Sequence, residues 1–367
     1  MRVVGEYEIG ETLGRGGTSV VYLARHRVTG REVALKELWL GGPAADPDAA
    51  LRFVRETRLA ARLNHPNIVA VYDAFEQDGA PYMAMEYLRQ GSLKPRIGHL
   101  SPAQIIGVLE GLLAALDHAE QHAIVHRDIK PANLLVADSG AVKVADFGIA
   151  KTGALDAFGT ITVTGTTLGT PQYMAPEQAL GRRLTPAADR YSAGVLAYEL
   201  LAGFTPFFDI EEPMAVMQSH INQPPASVIE VDEGVDPALS RWVDALLAKD
   251  PAARPRSAAA AWESLERVAI DRLGPAWRDA ASLVEGAGPL APAPFTRSDD
   301  ARTVSLDTAG DTPRAATAVR GIKGPGPLIP LGGLLRPPVL LALVLVLAFV
   351  AIELRNKLDK SDGTTVG

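Results

Sequence analysis

The chain has 367 residues and a formal net charge of −7, from 36 basic and 43 acidic side chains. This acidic balance disfavours non-specific nucleic-acid binding, which needs a basic face. The absence of cysteine excludes disulfides, thiol catalysis and zinc–thiolate sites. Apolar residues make up 47% of the chain, enough for a sizeable core, and the length allows two domains.

The first third of the chain is predicted to be rich in short strands. Runs of β-forming residues that end at Gly, Asp or Pro are typical of strands, and they occur here as "YEIGETLG", "SVVYLARH", "REVALKELW", "NIVAVYDAF" and "APYMAMEYL". The N-terminus has no apolar run of the length that a signal peptide needs. We therefore expect the start of the chain to stay in the cytoplasm.

Two features of this region indicate phosphate binding. Gly14 and Gly16 lie between predicted strands, where glycines let backbone N–H groups approach a phosphate, although such a hairpin is more often only a tight turn. Lys36 lies in the strand "VALK", and Glu56 lies on the inward face of a helix predicted over 48–63. Because a buried acid needs a partner, we expect Glu56 to pair with Lys36, which could then hold a nucleotide's phosphates.

After Ser101 the pattern becomes helical. Ser101, Pro102 and Gln104 form the start signal of a helix that is predicted to run to about His122. A second helix is predicted from about Ala187 to a C-cap at Gly203. A strand-rich lobe and a helical lobe would then meet near residues 86–92, and a cleft between lobes is a common ligand site.

Polar residues are concentrated in "VHRDIKPAN", residues 125–133, between the first of these helices and the strand-like "NLLV". Thirteen residues after Asn133 comes "DFG", which starts at Asp146. An aspartate and an asparagine that converge suit Mg²⁺, a hard cation that takes oxygen ligands. A second aspartate could accept or orient the proton of a hydroxyl group.

The end of the chain changes in composition. Residues 286–338 are rich in Pro, Gly, Ala, Ser and Thr, which predicts a linker that cannot bury enough apolar surface to become ordered. The fourteen apolar residues 339–352 follow, and as a helix the segment 337–354 would rise about 27 Å, close to the thickness of a bilayer core. We expect a transmembrane helix with Arg336 and Arg355 at its ends; a helix buried against the globular part is the alternative.

The segments "GRGGTSVV", "VALK", Glu56, "HRDIKPAN", "DFG", "APE", "AADRYSAG" and "DPAARP" occur in the order of the protein kinase family. Over about residues 7–270 the chain resembles a bacterial, eukaryotic-like (Hanks-type) serine/threonine protein kinase. The one departure is Ser19, which replaces the third glycine of the nucleotide loop. The resemblance implies an α+β, bilobal kinase fold, with a β-rich N-lobe and a helical C-lobe in residues 1–280. A disordered linker (281–336), one C-terminal transmembrane helix (337–354) and a short extracytoplasmic tail (355–367) would follow.

The resemblance also implies an ATP site. The residues that would form it are Leu13, Gly14, Gly16, Val21, Ala34, Lys36, Met85, Glu86, Leu88, Asn133 and Asp146. Lys36 would hold the α- and β-phosphates while paired with Glu56. Ala34 and Met85 would line the adenine pocket, and the backbone of Glu86 and Leu88 would bond the adenine edge.

Phosphoryl transfer itself is assigned by the resemblance to the loop 125–133. Asp128 would be the catalytic base, and Lys130 would neutralise charge on the γ-phosphoryl group. Asn133 and Asp146 would bind Mg²⁺, for which Mn²⁺ can substitute. The residues with implied structural roles are Arg127, Phe147, Gly148, Thr170, Glu177, Asp189 and Arg254. Among them, Glu177 would pair with Arg254, Asp189 would anchor the catalytic loop, and Thr170 would contact Asp128 and Lys130.

Class and regulation follow from the same resemblance. Lysine two residues after Asp128 is the serine/threonine pattern. Residues 146–177 would be the activation segment, and Thr162 and Thr164 are its best candidates for autophosphorylation in trans. Arg127 would meet the phosphorylated residue, since phosphate orders loops by pairing with arginine.

We expect a single-pass protein of the cell membrane, with the kinase domain in the cytoplasm and the C-terminus outside. Only about thirteen residues would then lie outside, too few for a sensor domain. The expected partners are protein substrates, a second copy of the chain and a phosphothreonine-binding protein that recognises "DDARTVSLD"; an inert linker is the alternative for that segment. The alternative functions are a pseudokinase scaffold, which the intact set of polar residues disfavours, and a small-molecule kinase, which "LGTPQYMAPE" disfavours.

Overall fold

The structure is a computed structural model that describes residues 2–16, 19–38, 54, 57, 63–147 and 170–295. The described residues form a small β-rich lobe and a larger helical lobe, both within one compact unit that spans residues 1–304. This is the expected bilobal arrangement.

The small lobe contains an antiparallel six-stranded sheet with the strand order β1-β2-β3-β4-β6-β5. Its strands are β1 (Arg2–Val4), β2 (Tyr7–Gly16), β3 (Ser19–His26), β4 (Glu32–Leu38), β5 (Val71–Gln77) and β6 (Ala80–Glu86). The five predicted strands correspond to β2–β6. Strand β1 has only three residues, too few to show an alternation of apolar and polar side chains. The structure thereby confirms the strand-rich first third of the chain.

Strand β4 shows how the sheet builds a site. Successive side chains of a strand point to opposite faces. Val33 and Leu35 are buried in one apolar cluster, with Tyr7 and Tyr82, whereas Ala34 is buried in a second cluster on the other face. Lys36 shares the face of Ala34 and is half-buried. The alternation therefore puts Lys36 beside an apolar surface rather than in solvent.

The helical lobe is built around α1 and α3. Its helices are α1 (Pro102–Gln121), α2 (Pro176–Ala179), α3 (Pro186–Ala202), α4 (Pro213–Asn222), α5 (Val228–Val231), α6 (Pro237–Leu246) and α7 (Ala258–Leu273). Ser101 and Gln104 form the predicted capping box, and Gly203 ends α3 with a φ of 84°. Both predicted helix ends are confirmed.

Helix α3 is surrounded by other elements on nearly every side. A helix that is buried all round belongs to the core of a protein. Small residues let its neighbours come close: a Cβ at Gly194 would lie 2.7 Å from Leu246 Cβ. The first turn of α3 holds Asp189, which is only 3% exposed. A buried carboxylate in this position requires hydrogen-bond donors from another element.

Between α1 and α3 the chain forms the loop 124–133 and a short antiparallel hairpin of β7 (Leu134–Val136) and β8 (Val142–Val144). The loop ends in a single 3-10 turn, Pro131–Asn133. Backbone bonds join the hairpin to the segment that precedes β5, since the Val69 N–H donates to the Val144 carbonyl at 2.9 Å. The polar run 125–133 thus lies where the two lobes meet.

Residues 281–295, which the sequence assigns to the predicted linker, are part of the described structure. Residues 281–295 pack on the helical lobe, and Ala281, Leu283 and Leu290 are buried in its core cluster. The prediction relied on average composition, which does not reveal that these three apolar side chains occupy buried positions on the lobe. Residues 296–336 and the segments 337–354 and 355–367 lie outside the described residues.

Two further predictions involve undescribed residues. Of the helix predicted over 48–63, the structure describes Val54 and Thr57, both helical, and Leu63. Within the described ranges, no helix combines the length and apolar character that crossing a membrane requires.

His220 on α4 is a buried titratable group of this lobe. Its Nδ1 lies 2.9 Å from the Tyr191 hydroxyl, and the rings of Tyr191 and Phe207 pack against it edge-on. Burial, assisted by the charge of Lys249, lowers the pKa of His220 to about 4. The folded protein therefore favours a neutral imidazole.

This burial predicts sensitivity to acid. The unfolded chain takes up a proton at His220 near the ordinary pKa of 6.5, but the folded chain does so only near pH 4. The stability that the neutral ring confers is complete above pH 6.5 and falls as the pH drops towards 4, by up to about 3 kcal/mol. His220→Phe should lose correspondingly less free energy of unfolding between pH 7 and 4.5, measured by urea denaturation. An equal loss in both proteins would contradict the burial of a neutral His220.

Candidate active site

The loop 124–133 is held by a buried carboxylate beneath it. Asp189 Oδ2 accepts the N–H of His126 at 2.6 Å, and Oδ1 accepts the N–H of Arg127 at 2.8 Å. Arg127 has a φ of 68°, a conformation that costs a non-glycine residue about 1–3 kcal/mol and persists only where the surroundings impose it. Burial raises the pKa of Asp189, and the two N–H groups oppose that rise. Asp189 is thus bonded directly to the backbone of the loop 124–133, which it was expected to anchor.

Three polar side chains of this loop converge. Lys130 Nζ lies 2.9 Å from Asp128 Oδ2, and Asn133 Nδ2 donates to the same oxygen at 3.0 Å. Asn133 Nδ2 also donates to the backbone carbonyl of Asp128 at 2.8 Å. Two donors therefore orient one carboxylate oxygen of Asp128, and its geometry suits a group that must receive or direct a proton.

A small pocket adjoins Asp128. It is lined by Arg127, Asp128, Ile129, Thr170, Tyr173, Met174, Gln178 and Ser192. Lys130 Nζ donates to Thr170 Oγ1 at 3.2 Å, and Gln178 Nε2 donates to the Arg127 carbonyl at 3.0 Å. The segment that follows residue 169 is thereby tied to the loop, as predicted for Thr170 and Lys130. Gln178 was not identified from the sequence.

Lys36 meets Asp146 across the two lobes. Its Nζ lies 2.6 Å from Asp146 Oδ2, and both side chains are only partly exposed. Asp146 has a φ of 59°, the second strained non-glycine residue of the site. Glu56, the partner expected for Lys36, lies outside the described residues, as does Gly148. The structure adds an ion pair that the sequence did not indicate, because 110 residues separate its members.

The oxygen ligands available here fit Mg²⁺ together with a nucleotide. The Ala145 N–H donates to the Asn133 carbonyl at 2.8 Å, which brings Asn133 next to Asp146. Both side-chain bonds of Asn133 use Nδ2, so its amide oxygen is the atom that it can offer to a cation. Among the described residues no group of three or more acidic or histidine side chains could hold a metal. Mg²⁺ commonly takes one or two protein carboxylates plus substrate phosphates, and this donor set agrees with that mode.

An apolar slot lies on the cleft face of β4. Ala34, Met85 and Ala145 are buried together, and Val21, Leu88 and Leu135 pack against the same cluster. Such a surface suits a planar aromatic ring. Leu135 and Ala145 were not identified from the sequence; each is one apolar residue in an apolar run, without a pattern that marks its face.

The segment after β6 forms one edge of this slot. The Glu86 N–H donates to the Ala70 carbonyl at 2.8 Å, so this N–H is not available to a base. The Glu86 side chain accepts two bonds from Lys143 Nζ, both at 2.8 Å, and one from the Ala70 N–H at 3.3 Å. No pattern in the sequence marks Lys143, which lies on β8.

The glycine hairpin borders the slot, because Val21, which packs against it, pairs with Gly14. Gly14 pairs with Val21 and Gly16 pairs with Ser19, and residues 17–18 between the strands lie outside the described residues. A Cβ at Gly14 would meet no atom of the chain within 4 Å. Packing within the protein does not require glycine there, whereas close approach of a ligand would. Leu13 beside it is 39% exposed, as a residue free to contact a ligand would be.

Glu177 and Arg254 form a buried ion pair below the pocket. Arg254 Nη1 and Nη2 bond the two Glu177 oxygens at 2.7 and 2.9 Å. The remaining donors of Arg254 reach the carbonyls of Ala187, Ala248 and Lys249.

Phe147, 5% exposed, packs edge-on against His126 with ring centroids 4.7 Å apart. Thr162 and Thr164 lie outside the described residues.

Comparison with known proteins gives a consistent result. The family model "Protein kinase domain" matches residues 7–264. The chain is 38% identical over 328 residues to the serine/threonine-protein kinase PknB of Mycolicibacterium smegmatis, which covers 88% of this chain and 49% of the relative. It is 41% identical over 269 residues to PknB of Mycobacterium tuberculosis strain H37Rv (71% and 42%) and 40% identical over 253 residues to PrkC of Bacillus subtilis strain 168 (68% and 38%). The chain thus spans half or less of the length of these relatives.

A solved structure resembles the chain in three dimensions. The kinase domain of Mycobacterium tuberculosis PknI, crystallised as a point mutant, superposes with a TM-score of 0.56 at 28% sequence identity. The match covers 73% of this chain and all of the PknI domain. The two-lobed arrangement is therefore shared with a known kinase domain.

The Glu177–Arg254 pair predicts an asymmetric response to mutation. Arg254→Met should lower the free energy of unfolding by about 3–5 kcal/mol, because Glu177 would remain buried and unpaired. The double variant Glu177→Gln/Arg254→Met should be more stable than the single variant, and urea denaturation measures both. Arg89→Met, which removes an exposed pair with Glu32, is the matched control and should change little. A double variant no more stable than Arg254→Met would contradict a strong coupling of the two charges.

Proposed function

Because the chain belongs to the protein kinase family, we propose that it transfers the γ-phosphoryl group of ATP to serine and threonine hydroxyls of proteins. Members of this family use ATP with a divalent metal ion. The observation that carries the proposal is the convergence of Lys130 and Asn133 on one carboxylate oxygen of Asp128.

In the proposed reaction Asp128 accepts the proton of the attacking hydroxyl, or orients that hydroxyl, as it approaches phosphorus. Lys130 balances the negative charge that develops on the phosphoryl oxygens, and its bond to Thr170 holds it in place. Lys36 grips the α- and β-phosphates from the opposite lobe. Phosphoryl transfer needs little covalent help, so catalysis consists mainly of positioning and electrostatic stabilisation.

Asn133 and Asp146 would hold Mg²⁺, which supplies positive charge to the nucleotide's phosphates when it is bound. Lys36 already contacts Asp146 Oδ2, so a bound cation would share the Asp146 carboxylate with the Lys36 ammonium group. The glycine hairpin and the apolar slot would enclose the rest of the nucleotide, with Ala34 and Met85 at the adenine ring.

The pseudokinase alternative is less well supported. Lys36, Asp128, Asn133 and Asp146 all retain side chains that can act on a nucleotide, and the Lys36–Asp146 and Asn133–Asp128 contacts support a common site. The segment 170–179, which is bonded to the loop 124–133, would be the platform for an extended peptide, and this disfavours a small-molecule acceptor.

We also propose regulation by phosphorylation in trans, at Thr162 or Thr164. Arg127 directly precedes Asp128, and Asp189 fixes its backbone, so a phosphate bound by Arg127 would act next to the proposed base. Phosphate adds a charge of about −2 that can pair with arginine and order a loop.

For location and partners the proposal relies on the sequence. The apolar segment 337–354 would anchor the protein in the cell membrane by one span, with the kinase domain in the cytoplasm and the tail 355–367 outside. A phosphothreonine-binding protein would recognise "DDARTVSLD", and a second copy of the chain would be the substrate for phosphorylation in trans. These features indicate a role in bacterial membrane-associated signalling.

The base assignment predicts the effect of Asp128→Asn. The variant keeps the size of the side chain but cannot accept the proton, so phosphate transfer to a generic basic protein with Mg²⁺–ATP should fall by about 10²- to 10⁴-fold. Incorporation of radiolabelled phosphate by the full-length chain in detergent measures it. Asp138→Asn, the same change at an exposed position near the hairpin turn, should retain wild-type activity. Equal transfer by Asp128→Asn and wild type would refute the assignment.

The regulatory proposal predicts where phosphate appears. Inactive Asp128→Asn protein, mixed with active enzyme and ATP, should gain phosphate at Thr162 or Thr164, read by fragment mass spectrometry. Double substitution of both threonines by alanine should abolish this signal and lower activity. A fully active enzyme that carries no phosphate on residues 160–167 would overturn the proposal.

A further inference from the structure

Residues 281–295, here called the strap, leave the end of the helical lobe and cross helix α1. Arg96 Nη1 donates to the Leu283 carbonyl at 2.8 Å, and the Leu283 N–H donates to the Gly140 carbonyl at 3.1 Å. Gln104 Nε2 donates to the Ser282 carbonyl at 3.0 Å. The first part of the strap is thus bonded to three separate elements of the lobe.

Close packing on α1 holds the middle of the strap. A Cβ at Gly107 would lie 3.0 Å from Leu290 Cδ1 and 3.1 Å from Ala281 Cβ. Any larger residue at position 107 would have to displace one of them, so glycine at this position lets the strap pack closely on α1. At the far end Phe295 stacks on Trp262 of α7, with ring centroids 5.6 Å apart and an interplanar angle of 4°. These contacts fasten the strap by apolar burial along its length.

A buried carboxylate adds a polar fastening. Glu110 of α1 is 2% exposed and accepts the Ala293 N–H at 3.2 Å. The same oxygen accepts Arg278 Nη2 at 2.6 Å. The strap therefore supplies one of the donors to this buried carboxylate, and its release would leave Glu110 with the bonds from Arg278 alone.

The strap ends beside the loop 63–69, which precedes β5. His65 Nε2 lies 3.3 Å from the Pro294 carbonyl, and His65 Nδ1 accepts the Asn67 N–H at 3.1 Å. Because Nδ1 accepts a bond, the ring proton is on Nε2, which then donates to Pro294. His65 thus connects the strap to the backbone of the loop 63–69.

That loop is in turn bonded to the strand that precedes Asp146. The Val144 N–H donates to the Asn67 carbonyl at 2.8 Å, and Asn67 Nδ2 donates to the Val142 carbonyl at 2.9 Å. Val144 lies two residues before Asp146 in the chain. Consecutive hydrogen bonds therefore run from the strap, through His65 and Asn67, to β8.

We propose that the strap is a positioning device: while docked on α1 it holds the loop 63–69 against β8 and thereby Asp146 against Lys36. Undocking of the strap would remove its bond to His65 and so loosen the loop 63–69 against β8. The effect on catalysis rests on the proposed kinase function, whereas the mechanical coupling of strap to β8 does not.

Hydrogen exchange on the full-length chain tests the coupling without any need for enzymatic activity. Leu290→Asp removes the apolar anchor of the strap, and Gly107→Leu fills the space that the strap occupies. Both should speed exchange of the Leu283, Leu290 and Ala293 amides, and with them those of Val69 and Val144. Ile270→Asp, at an exposed position on α7, is the control and should leave all five unchanged. Amides in the core of α3 should stay protected, which shows that the fold is intact.

Steady-state kinetics with Mg²⁺–ATP gives the second readout. The two strap variants should lower kcat/KM by about 3- to 30-fold, the usual size of coupling through a packed network. Strap amides that exchange freely while Val69, Val144 and kcat/KM remain at wild-type values would overturn the proposal. Strap amides that stay protected in both variants would overturn the claim that these contacts hold it. Faster exchange at Val144 in a chain that transfers no phosphate would sustain the coupling and refute only the proposed kinase function.

Discussion

The candidate site depends on one buried carboxylate beneath it. Asp189 lies in the first turn of α3 and binds two consecutive backbone N–H groups of the loop 124–133. Those two bonds stabilise the left-handed backbone at Arg127, and the next residue is Asp128. A charge this deeply buried is costly unless its donors are in place, so loop and helix must assume their conformations together. The positions of Lys130 and Asn133 follow from that arrangement.

A second constraint is that the chemistry is divided between the lobes. Lys36 reaches the cleft because strand alternation places it on the face opposite Val33 and Leu35. Asp146 reaches the cleft from the end of β8. Backbone hydrogen bonds join β8 to the loop 63–69. The 2.6 Å Lys36–Asp146 ion pair therefore depends on how the lobes are held together, and the Lys143–Glu86 pair and the loop 63–69 bond β8 to the small lobe nearby. A nucleotide in the apolar slot would bind across it.

Much of the site could be predicted because its signals are local. Asp128, Lys130 and Asn133 lie within six residues, and helix signals such as the Ser101–Gln104 capping box depend only on neighbours. Long-range pairings could not be predicted in the same way. The bond of Gln178 to the Arg127 carbonyl and the Lys143–Glu86 pair have no periodic signature in the chain. Composition predicts a linker over the strap because it reflects average burial only. The docking of the strap depends on its contacts with Gly107 and Glu110 of α1, a helix far from it in the sequence.

The most direct test of this scheme is the kcat of Asp189→Asn with Mg²⁺–ATP and a protein substrate, beside the nucleotide affinity measured by calorimetry. Asparagine keeps the shape of the side chain but can accept from only one of the two N–H groups and presents its own N–H₂ to the other. We expect kcat to fall about 100-fold, as misplacement of a catalytic group does, with the nucleotide affinity close to that of wild type. An unchanged kcat in the variant would show that the loop organises itself without Asp189 and would contradict the central role assigned to this carboxylate.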